Sequence, residues 1–249
     1  MTGLRAAVLV ALAAAAPVAL GACESTQETS RRLSSSARAS LDVKGVTVTK
    51  RNPDVTVLSE TVLHDVNGVA AVVRVRNRGP AQAKVPVGIA VKDAKGRTLY
   101  SNSIPGLDPS LTSLPVIGRG EETFWVNNQI QTATAPRRVA AVVGAAVPAR
   151  GSLPRIVVGR PAFGTDTSGV FARARITNRS KVAQKRLVVS CVSRRGGSVV
   201  AAGRAIVEKL LPAPTPKPVT FRVYFIGNPR RGALTCAAPP TVLSGGSTS

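Results

Sequence analysis

The side chains that most often carry enzyme chemistry are scarce in this chain of 249 residues. The only histidine, His64, stands in a Leu-His-Asp stretch, and no Gly-x-Ser-x-Gly nucleophile motif accompanies it. Glu121 and Glu122 are adjacent in a segment predicted as a strand, so they point to opposite faces and cannot act together as acid and base. The sequence also lacks a P-loop and a metal-ligand cluster. We therefore expect neither enzyme activity nor a cofactor.

Three cysteines are the remaining candidates for covalent chemistry, and the first of them, Cys23, directly follows a short apolar run. The segment Leu20-Gly21-Ala22-Cys23 resembles the lipobox of bacterial lipoproteins. The resemblance implies a mature protein that begins at Cys23 and carries fatty acyl chains such as palmitate there. It also implies an extracytoplasmic protein that is lipid-anchored to a bacterial membrane. The alternative is cleavage at an ordinary secretory site, which would leave a soluble exported protein with Cys23 removed or free.

Residues 1–22 have the layout of an export signal. Arg5 supplies the positive charge, and Ala6–Leu20 forms an apolar stretch of 15 residues. A membrane-spanning helix needs about 20 apolar residues, so this stretch is too short to cross a bilayer comfortably. After the predicted acylated Cys23, residues up to 44 are rich in Ser, Arg, Thr and Ala and indicate a flexible tether. Its arginines could lie against anionic headgroups, or the segment could be a solvated, partly helical spacer.

The remainder of the chain is all-β in pattern. Short Val-rich runs recur between clusters of Gly, Pro, Asn and Asp, as is typical of β-sandwiches. About 195 residues fit two sandwiches of about 95 residues each. We predict a first domain at 45–148, a second at 149–240, and a disordered tail at 241–249.

An internal repeat supports two domains. Residues 68–102 align without a gap onto residues 169–203, at an offset of 101, with ten identities in 35 positions. Further along, Thr123-Phe124 aligns with Thr220-Phe221, which places Trp125 level with Arg222. Because Arg222 alternates with apolar neighbours and points outward, this alignment predicts an outward-facing Trp125, exposed or packed against the neighbouring domain.

An apolar strand that ends in Asn-x-Gly or Asn-x-Ser occurs in both copies, at Asn77-Arg78-Gly79 and at Asn178-Arg179-Ser180. This pattern, followed by a strand closed by a Gly turn and a later Phe strand, resembles the CARDB-type and FxLYD-type modules of bacterial envelope proteins. The chain departs from the second type because it has no Phe-x-Leu-Tyr-Asp string. The resemblance implies two tandem immunoglobulin-like β-sandwiches.

Cys191 and Cys236 both belong to the second copy, and the alignment pairs them with apolar residues of the first, Ala90 and Val143. Two interior positions that both carry cysteine in an exported domain indicate a disulfide between two strands. A metal pair and free thiols are the alternatives. Zinc requires about four ligands, and the only histidine lies in the other domain.

The formal net charge of +22 is concentrated in the second predicted domain. Residues 149–238 contain 17 Lys and Arg against two Asp and Glu, a net +15, whereas residues 45–148 carry 12 against seven, a net +5. Such a surface attracts polyanions in a salt-dependent way. Seven arginines on outward strand positions or in predicted turns are the candidate polyanion-binding residues: Arg173, Arg175, Arg194, Arg195, Arg222, Arg230 and Arg231.

We therefore predict a non-catalytic, membrane-anchored binding protein of the cell envelope that contacts anionic wall polymers or phospholipid headgroups. With eight aromatic residues in all, base stacking has little support, so specific nucleic-acid binding is not expected. The alternative is a structural or assembly accessory with an envelope protein as partner. In that case the arginines would reflect composition, since the chain is also rich in Ala, Gly, Pro and Val.

The lipobox interpretation predicts the chemical state of the mature N-terminus. Mass spectrometry of the protein purified from its own envelope should find Cys23 as the first residue, with acyl chains attached. Two or more chains are expected, because a single chain gives only marginal membrane attachment. A mature N-terminus without acyl groups, at Cys23 or elsewhere, would contradict the prediction.

Overall fold

The computed structural model describes residues 45–212 and 218–245. The predicted signal segment 1–22, Cys23 and the tether up to residue 44 lie outside the described residues. In the described part of the chain, no helix has the length and apolar character needed to cross a membrane. Apart from two three-residue 3-10 helices, Pro109–Leu111 and Pro229–Arg231, the regular structure of residues 45–212 and 218–245 consists of strands, which confirms the predicted all-β class.

The first sandwich comprises eight strands in two antiparallel sheets. The three-stranded sheet has the order β1-β2-β6, and the other is organised around β3, which pairs with β4, β5, β7 and β8. The bounds of the strands are β1 (Val55–Asp65), β2 (Gly68–Asn77), β3 (Gln82–Lys92), β4 (Thr98–Ser101), β5 (Ser113–Ile117), β6 (Glu122–Ile130), β7 (Arg138–Val143) and β8 (Val147–Pro148).

The second sandwich also has two antiparallel sheets. In its outer sheet, β11 lies between β10 and β14 and also pairs with β9, and its inner sheet has the order β15-β13-β12-β16. The bounds are β9 (Ile156–Val158), β10 (Ala162–Asp166), β11 (Gly169–Asn178), β12 (Gln184–Arg195), β13 (Ser198–Leu210), β14 (Val219–Tyr224), β15 (Ile226–Gly227) and β16 (Ala233–Ala237).

Alternating apolar residues build the core of each sandwich. Residues 69, 71, 73 and 75 of β2 face residues 85, 87, 89 and 91 of β3 across the first core. Residues 172, 174 and 176 of β11 and residues 187, 189 and 191 of β12 occupy the second core in the same way. Since successive side chains of a strand point to opposite faces, each strand contributes every second residue to its core.

The two copies are equivalent, but the predicted ungapped alignment is wrong beyond the turn that follows Asn178. Lys84 and Arg186, which lie 102 residues apart, are the two non-glycine residues with positive φ in the described chain, at 53° and 48°. Each occupies an unpaired position in its ladder, and the register is the same on both sides of it. The offset is therefore 101 along β2 and β11 but 102 along β3 and β12, because the second turn is one residue longer.

The alignment of the aromatic strands is also displaced by one residue. Trp125 lies opposite Val73 in the ladder, and Phe221 lies opposite the equivalent Ala174. Trp125 is therefore the counterpart of Phe221 and not of Arg222. The predicted outward orientation is wrong: Trp125 is 3% exposed in the first core, and its Nε1 donates to the Ser110 carbonyl at 3.1 Å.

Both Asn residues of the repeated motif hold the turn that follows their strand. Asn77 is fully buried, its Nδ2 donates to the carbonyls of Pro80 and Gly118, and its Oδ1 accepts from Gly79 N–H at 3.0 Å. Asn178 is likewise buried and bonds in the same way with the Val182 carbonyl and Ser180 N–H. A buried amide with satisfied donors and acceptor fixes a turn that backbone hydrogen bonds alone leave incomplete.

The inner sheets of the two sandwiches pack against each other through a third apolar cluster. Its buried members are Ala70, Val72, Phe124 and Val126 from the first sandwich, and Val192, Ala202 and Ile226 from the second. The β1-β2-β6 sheet and the inner sheet of the second sandwich are therefore apolar on both faces. Because Asp65 Oδ2 also accepts from Gly227 N–H at 2.7 Å, polar contacts supplement this junction.

Residues 241–244, which were predicted as the start of a disordered tail, are hydrogen-bonded to the second sandwich. The Gln184 side-chain oxygen accepts from the N–H groups of Thr241 and Val242, and Ser244 exchanges backbone hydrogen bonds with Ser152. These bonds compensate the burial of Gln184, which is 0% exposed at the start of β12. Residues 241–244 are therefore part of the second sandwich.

The predicted disulfide joins Cys191 of β12 to Cys236 of β16. The two residues are directly opposite in the antiparallel ladder, with Cα atoms 4.1 Å apart. The predicted counterparts, Ala90 and Val143, are wrong, because the offset of 102 makes Ile89 the counterpart of Cys191 and the ladder partner of Ile89 is Ala141. The corresponding pair in the first sandwich is Ile89 and Ala141, which are opposite in the β3–β7 ladder and pack without a covalent link.

Replacing both cysteines by alanine is expected to lower the free energy of unfolding by up to about 4 kcal/mol, because the bond closes a loop of 46 residues in the unfolded chain. Urea unfolding of the double variant and of the unmodified chain, each with and without reductant, measures the effect. Reductant should destabilise only the unmodified chain. Equal midpoints for the two proteins under oxidising conditions would contradict the prediction.

Candidate anion-binding surface

The outer face of the second sandwich is formed by β10, β11 and β14. As the alternation predicts, Arg173 and Arg175 of β11 are exposed on this face, while Ala174 between them is buried. Arg222 and Tyr224 of β14 are also exposed, on either side of the buried Val223. Strand geometry alone therefore places three predicted arginines, Arg173, Arg175 and Arg222, on one surface.

Arg173 and Arg222 are directly opposite in the β11–β14 ladder, where like charges repel each other. Two contacts stabilise Arg222: its guanidinium lies 4.7 Å from the centroid of the Phe171 ring, and its Nη1 lies 3.5 Å from Asp166 Oδ2. The ring of Phe171 is 8% exposed and occupies the space where Gly164 of β10 has no Cβ. In contrast, Arg173 and Arg175 have no ion pair with any described residue.

A depression of about 460 Å³ on this face is lined by Arg173, Arg175 and a further arginine, Arg160. It lies where the edge of the sheet is interrupted between β9 and β10. Gly159 N–H donates to the Arg175 carbonyl at 2.8 Å, and Pro161, which follows Arg160, has no N–H to donate. Three arginines therefore line one open concavity, and guanidinium groups suit an oxyanion that accepts several hydrogen bonds.

Arg160 is a candidate that the sequence analysis missed. It stands in the short Gly159-Arg160-Pro161 segment, outside any alternating run. A Gly-x-Pro interruption between two strands is the signal that could have drawn attention to it, since Gly and Pro mark breaks in a ladder. Only the pairing of both flanking strands with β11 shows that the break lies beside Arg173 and Arg175.

The other four predicted arginines lie at one end of the sandwich, away from the depression. Arg194 and Arg195 are the last two residues of β12 and not turn residues, and Arg230 and Arg231 lie in the second 3-10 helix. Arg194 pairs with Ala233, which follows this 3-10 helix closely in the sequence. Arg230 stacks on Phe163 at 5.8 Å and donates to Thr165 Oγ1 at 3.1 Å. None of these four arginines lines the depression.

Arg194 has a contact that the sequence did not predict. Its guanidinium lies 5.4 Å from the centroid of the Phe124 ring, which belongs to the first sandwich and to the junction cluster. A cation–π contact of this kind contributes about 0.5–1 kcal/mol. Arg194 is therefore positioned to stabilise the junction, whereas Arg195 is exposed.

The side chains considered for catalysis are dispersed. His64 is exposed on β1 opposite Val69. Glu121 precedes β6 and accepts from Gly118 N–H through Oε2, whereas Glu122 forms ion pairs with Arg74 and Arg76 of the neighbouring strand. In the described residues no three His, Cys, Asp or Glu side chains are grouped as metal ligands. The two glutamates thus have separate partners.

The chain matches no protein-family model. It has no significant match among the curated proteins.

The Tyr224 hydroxyl is expected to control the ionisation of Asp166. It donates to Asp166 Oδ2 at 2.7 Å and holds the pKa of that carboxyl below its ordinary value, with further lowering by Ser168 N–H and Arg222. The stability that Asp166 contributes is therefore present above its unfolded pKa of about 3.9 and is lost as the pH falls through the folded pKa. NMR titration of the Tyr224→Phe variant should give a higher pKa for Asp166 than the unmodified chain. An unchanged or lower value would contradict this assignment.

Proposed function

We propose that the protein is a lipid-anchored, extracytoplasmic binding protein of a bacterial envelope, which contacts anionic partners through the outer face of its second sandwich. One observation carries the proposal: Arg160, Arg173 and Arg175 surround a single depression, and none of them has an ion pair with a described residue. Three such arginines repel one another, and an anion bound among them relieves that repulsion.

The chemistry of the face favours phosphate or carboxylate oxyanions repeated along a surface or polymer. Guanidinium groups present paired N–H donors that match these oxyanions. The depression is open and its walls are cationic, so it suits a headgroup or a polymer segment better than an enclosed small molecule. Phospholipid headgroups and anionic wall polymers share this chemistry, and an anchor at Cys23 would hold the face within tether reach of both.

The family resemblance points in the same direction. The Asn-x-Gly and Asn-x-Ser turns of the two copies form equivalent hydrogen bonds around Asn77 and Asn178. This equivalence supports a common origin of the two sandwiches and the proposed relation to CARDB-type and FxLYD-type envelope modules. A role in binding rather than catalysis agrees with that relation.

Binding of the full chain to anionic phosphatidylglycerol vesicles and to neutral phosphatidylcholine vesicles, across a salt series, tests the proposal. An acyl anchor or an apolar N-terminus would bind both vesicle types, so the difference between them reports the basic face. Each arginine near an anionic surface contributes about 1 kcal/mol to binding. At low salt the double variant Arg173→Gln/Arg175→Gln should therefore lose about 2 kcal/mol, or about 30-fold in affinity, of its preference for anionic over neutral vesicles. The loss should shrink as salt rises.

The matched control is Arg119→Gln/Arg137→Gln, which removes the same charge from two exposed arginines of the first sandwich. This control should retain most of the preference for anionic vesicles. The same comparison with a soluble anionic wall polymer distinguishes the two sources of oxyanion. Equal binding to anionic and neutral vesicles, together with salt-insensitive or absent polymer binding, would reject the proposal and favour an assembly accessory with a protein partner.

A further inference from the structure

A cleft of about 240 Å³ lies at the margin of the junction, with walls contributed by both sandwiches. Pro109 and Pro115 of the first sandwich face Val188 and Ile206 of the second across it, and they give it a largely apolar lining. Pockets for drug-sized molecules have volumes of about 300–1,000 Å³, so this cleft suits a smaller occupant. It lies on a different side of the inner sheet from the basic outer face.

Of the three charged residues that line the cleft, two are cationic and one is anionic. Lys185 and Arg186 of β12 line it, together with Asp108 of the first sandwich. Arg186 donates to Asp108 Oδ2 at 2.6 Å and lies 3.4 Å from the exposed Glu208. Asp108 also accepts from Ser110 N–H, so its oxygens are already engaged on both sides.

A third cation, Arg204 of β13, is buried beside the cleft, with a side chain that is 2% exposed. Its Nη2 donates at 2.6 Å to Ser110 Oγ, and Ser110 lines the cleft. The nearest carboxylate oxygen, Asp108 Oδ1, is 4.0 Å away, at the limit of an ion pair. Nη1 of Arg204 has no hydrogen-bond partner among the described residues. A buried guanidinium with an unused donor is unfavourable unless an acceptor reaches it.

We propose that the cleft binds a small monocarboxylate with a short apolar chain. The carboxylate lies toward the guanidinium groups of Arg186 and Arg204, and the chain lies against Pro109, Pro115 and the two aliphatic residues of the second sandwich. The net positive charge beside the cleft attracts the carboxylate of the ligand. The apolar lining disfavours inorganic anions, because they would lose their hydration there without gaining apolar contacts. This site is independent of the proposed polyanion surface, since it shares no residue with it.

Trp125 provides a reporter for this site. A smaller cavity of about 10 Å³ adjoins the cleft, shares Ser110 and Val188 with it and is also lined by Trp125. Trp125 is the only tryptophan of the chain, and its Nε1 donates to the Ser110 carbonyl. A ligand that displaces Ser110 or fills the cleft changes the surroundings of the indole and therefore its emission.

Titration of the full chain with octanoate, octan-1-ol and inorganic phosphate, followed by tryptophan emission and by calorimetry, tests the proposal. We expect saturable binding of octanoate, binding of octanol at least about tenfold weaker because it carries no charge, and no response to phosphate. Arg186→Gln, at a position whose side chain is 56% exposed, should weaken octanoate about tenfold and leave octanol unchanged. Arg204→Met should abolish the preference for octanoate.

The matched control is Arg175→Gln, which removes one positive charge on the outer face and should leave octanoate binding unchanged. If Arg204→Met does not fold, as judged by circular dichroism, the exposed Arg186→Gln variant still decides the question. Equal affinities for octanoate and octanol, a phosphate response like that of octanoate, or no saturable signal by either method would overturn the proposal. So would an equal loss of octanoate binding in Arg175→Gln and Arg186→Gln.

Discussion

The contact between the two inner sheets is the constraint on which the rest of the structure depends. Strands β2 and β6 present apolar side chains on both faces, so that one row fills the first core and the other row, with Phe124 and Val126, meets Val192 and Ile226 of the second sandwich. Removing such apolar surface from water stabilises the folded state by about 25 cal/mol per Å². An isolated first sandwich would expose the second row. The junction is therefore part of the hydrophobic core and not a flexible hinge.

This junction determines which surfaces remain for binding. The inner sheets are covered on both faces, so the outer face of the second sandwich is the sheet surface of that domain that stays open to solvent. The arginines of β11 and β14 lie there because the opposite residues of the same strands, such as Ala174 and Val223, are needed in the core. The cleft beside Arg204 arises at the margin of the same contact, where the two sandwiches diverge around Ser110.

Burial of Arg204 at this margin has a cost that the fold only partly offsets. Desolvation lowers the pKa of Arg204, and Asp108 acts against that effect. Partial burial raises the pKa of the Asp108 carboxyl, but hydrogen bonds from Ser110 and Arg186 outweigh this and keep it below its ordinary value. The Asp108 carboxylate is thus shared by Arg186 and Arg204 of the other sandwich. Groups whose local interactions are incomplete in an otherwise well-packed structure are commonly found at functional sites.

Sequence reasoning succeeded where a residue's role follows from its immediate neighbours. Alternation predicted the all-β class and the outward positions of Arg173, Arg175 and Arg222, and the paired interior positions of Cys191 and Cys236 predicted the disulfide. It failed wherever register mattered. One extra residue before Gln184 shifts the second copy by one position, and a shift of one residue exchanges the two faces of a strand. Identities among Val, Ala and Arg could not detect it.

The linear order of residues by itself determined which strands form and which side of each is apolar, because these follow from a period of two along one segment. It also determined the excess of positive charge in the second half. Only the tertiary structure decided that the first sandwich has a second apolar face to bury and that Trp125 is interior. It also decided that Arg160 lies beside the arginines of β11 and that Arg204 contacts Ser110. These features depend on the packing of one sheet against another, and no local pattern in a chain specifies that geometry.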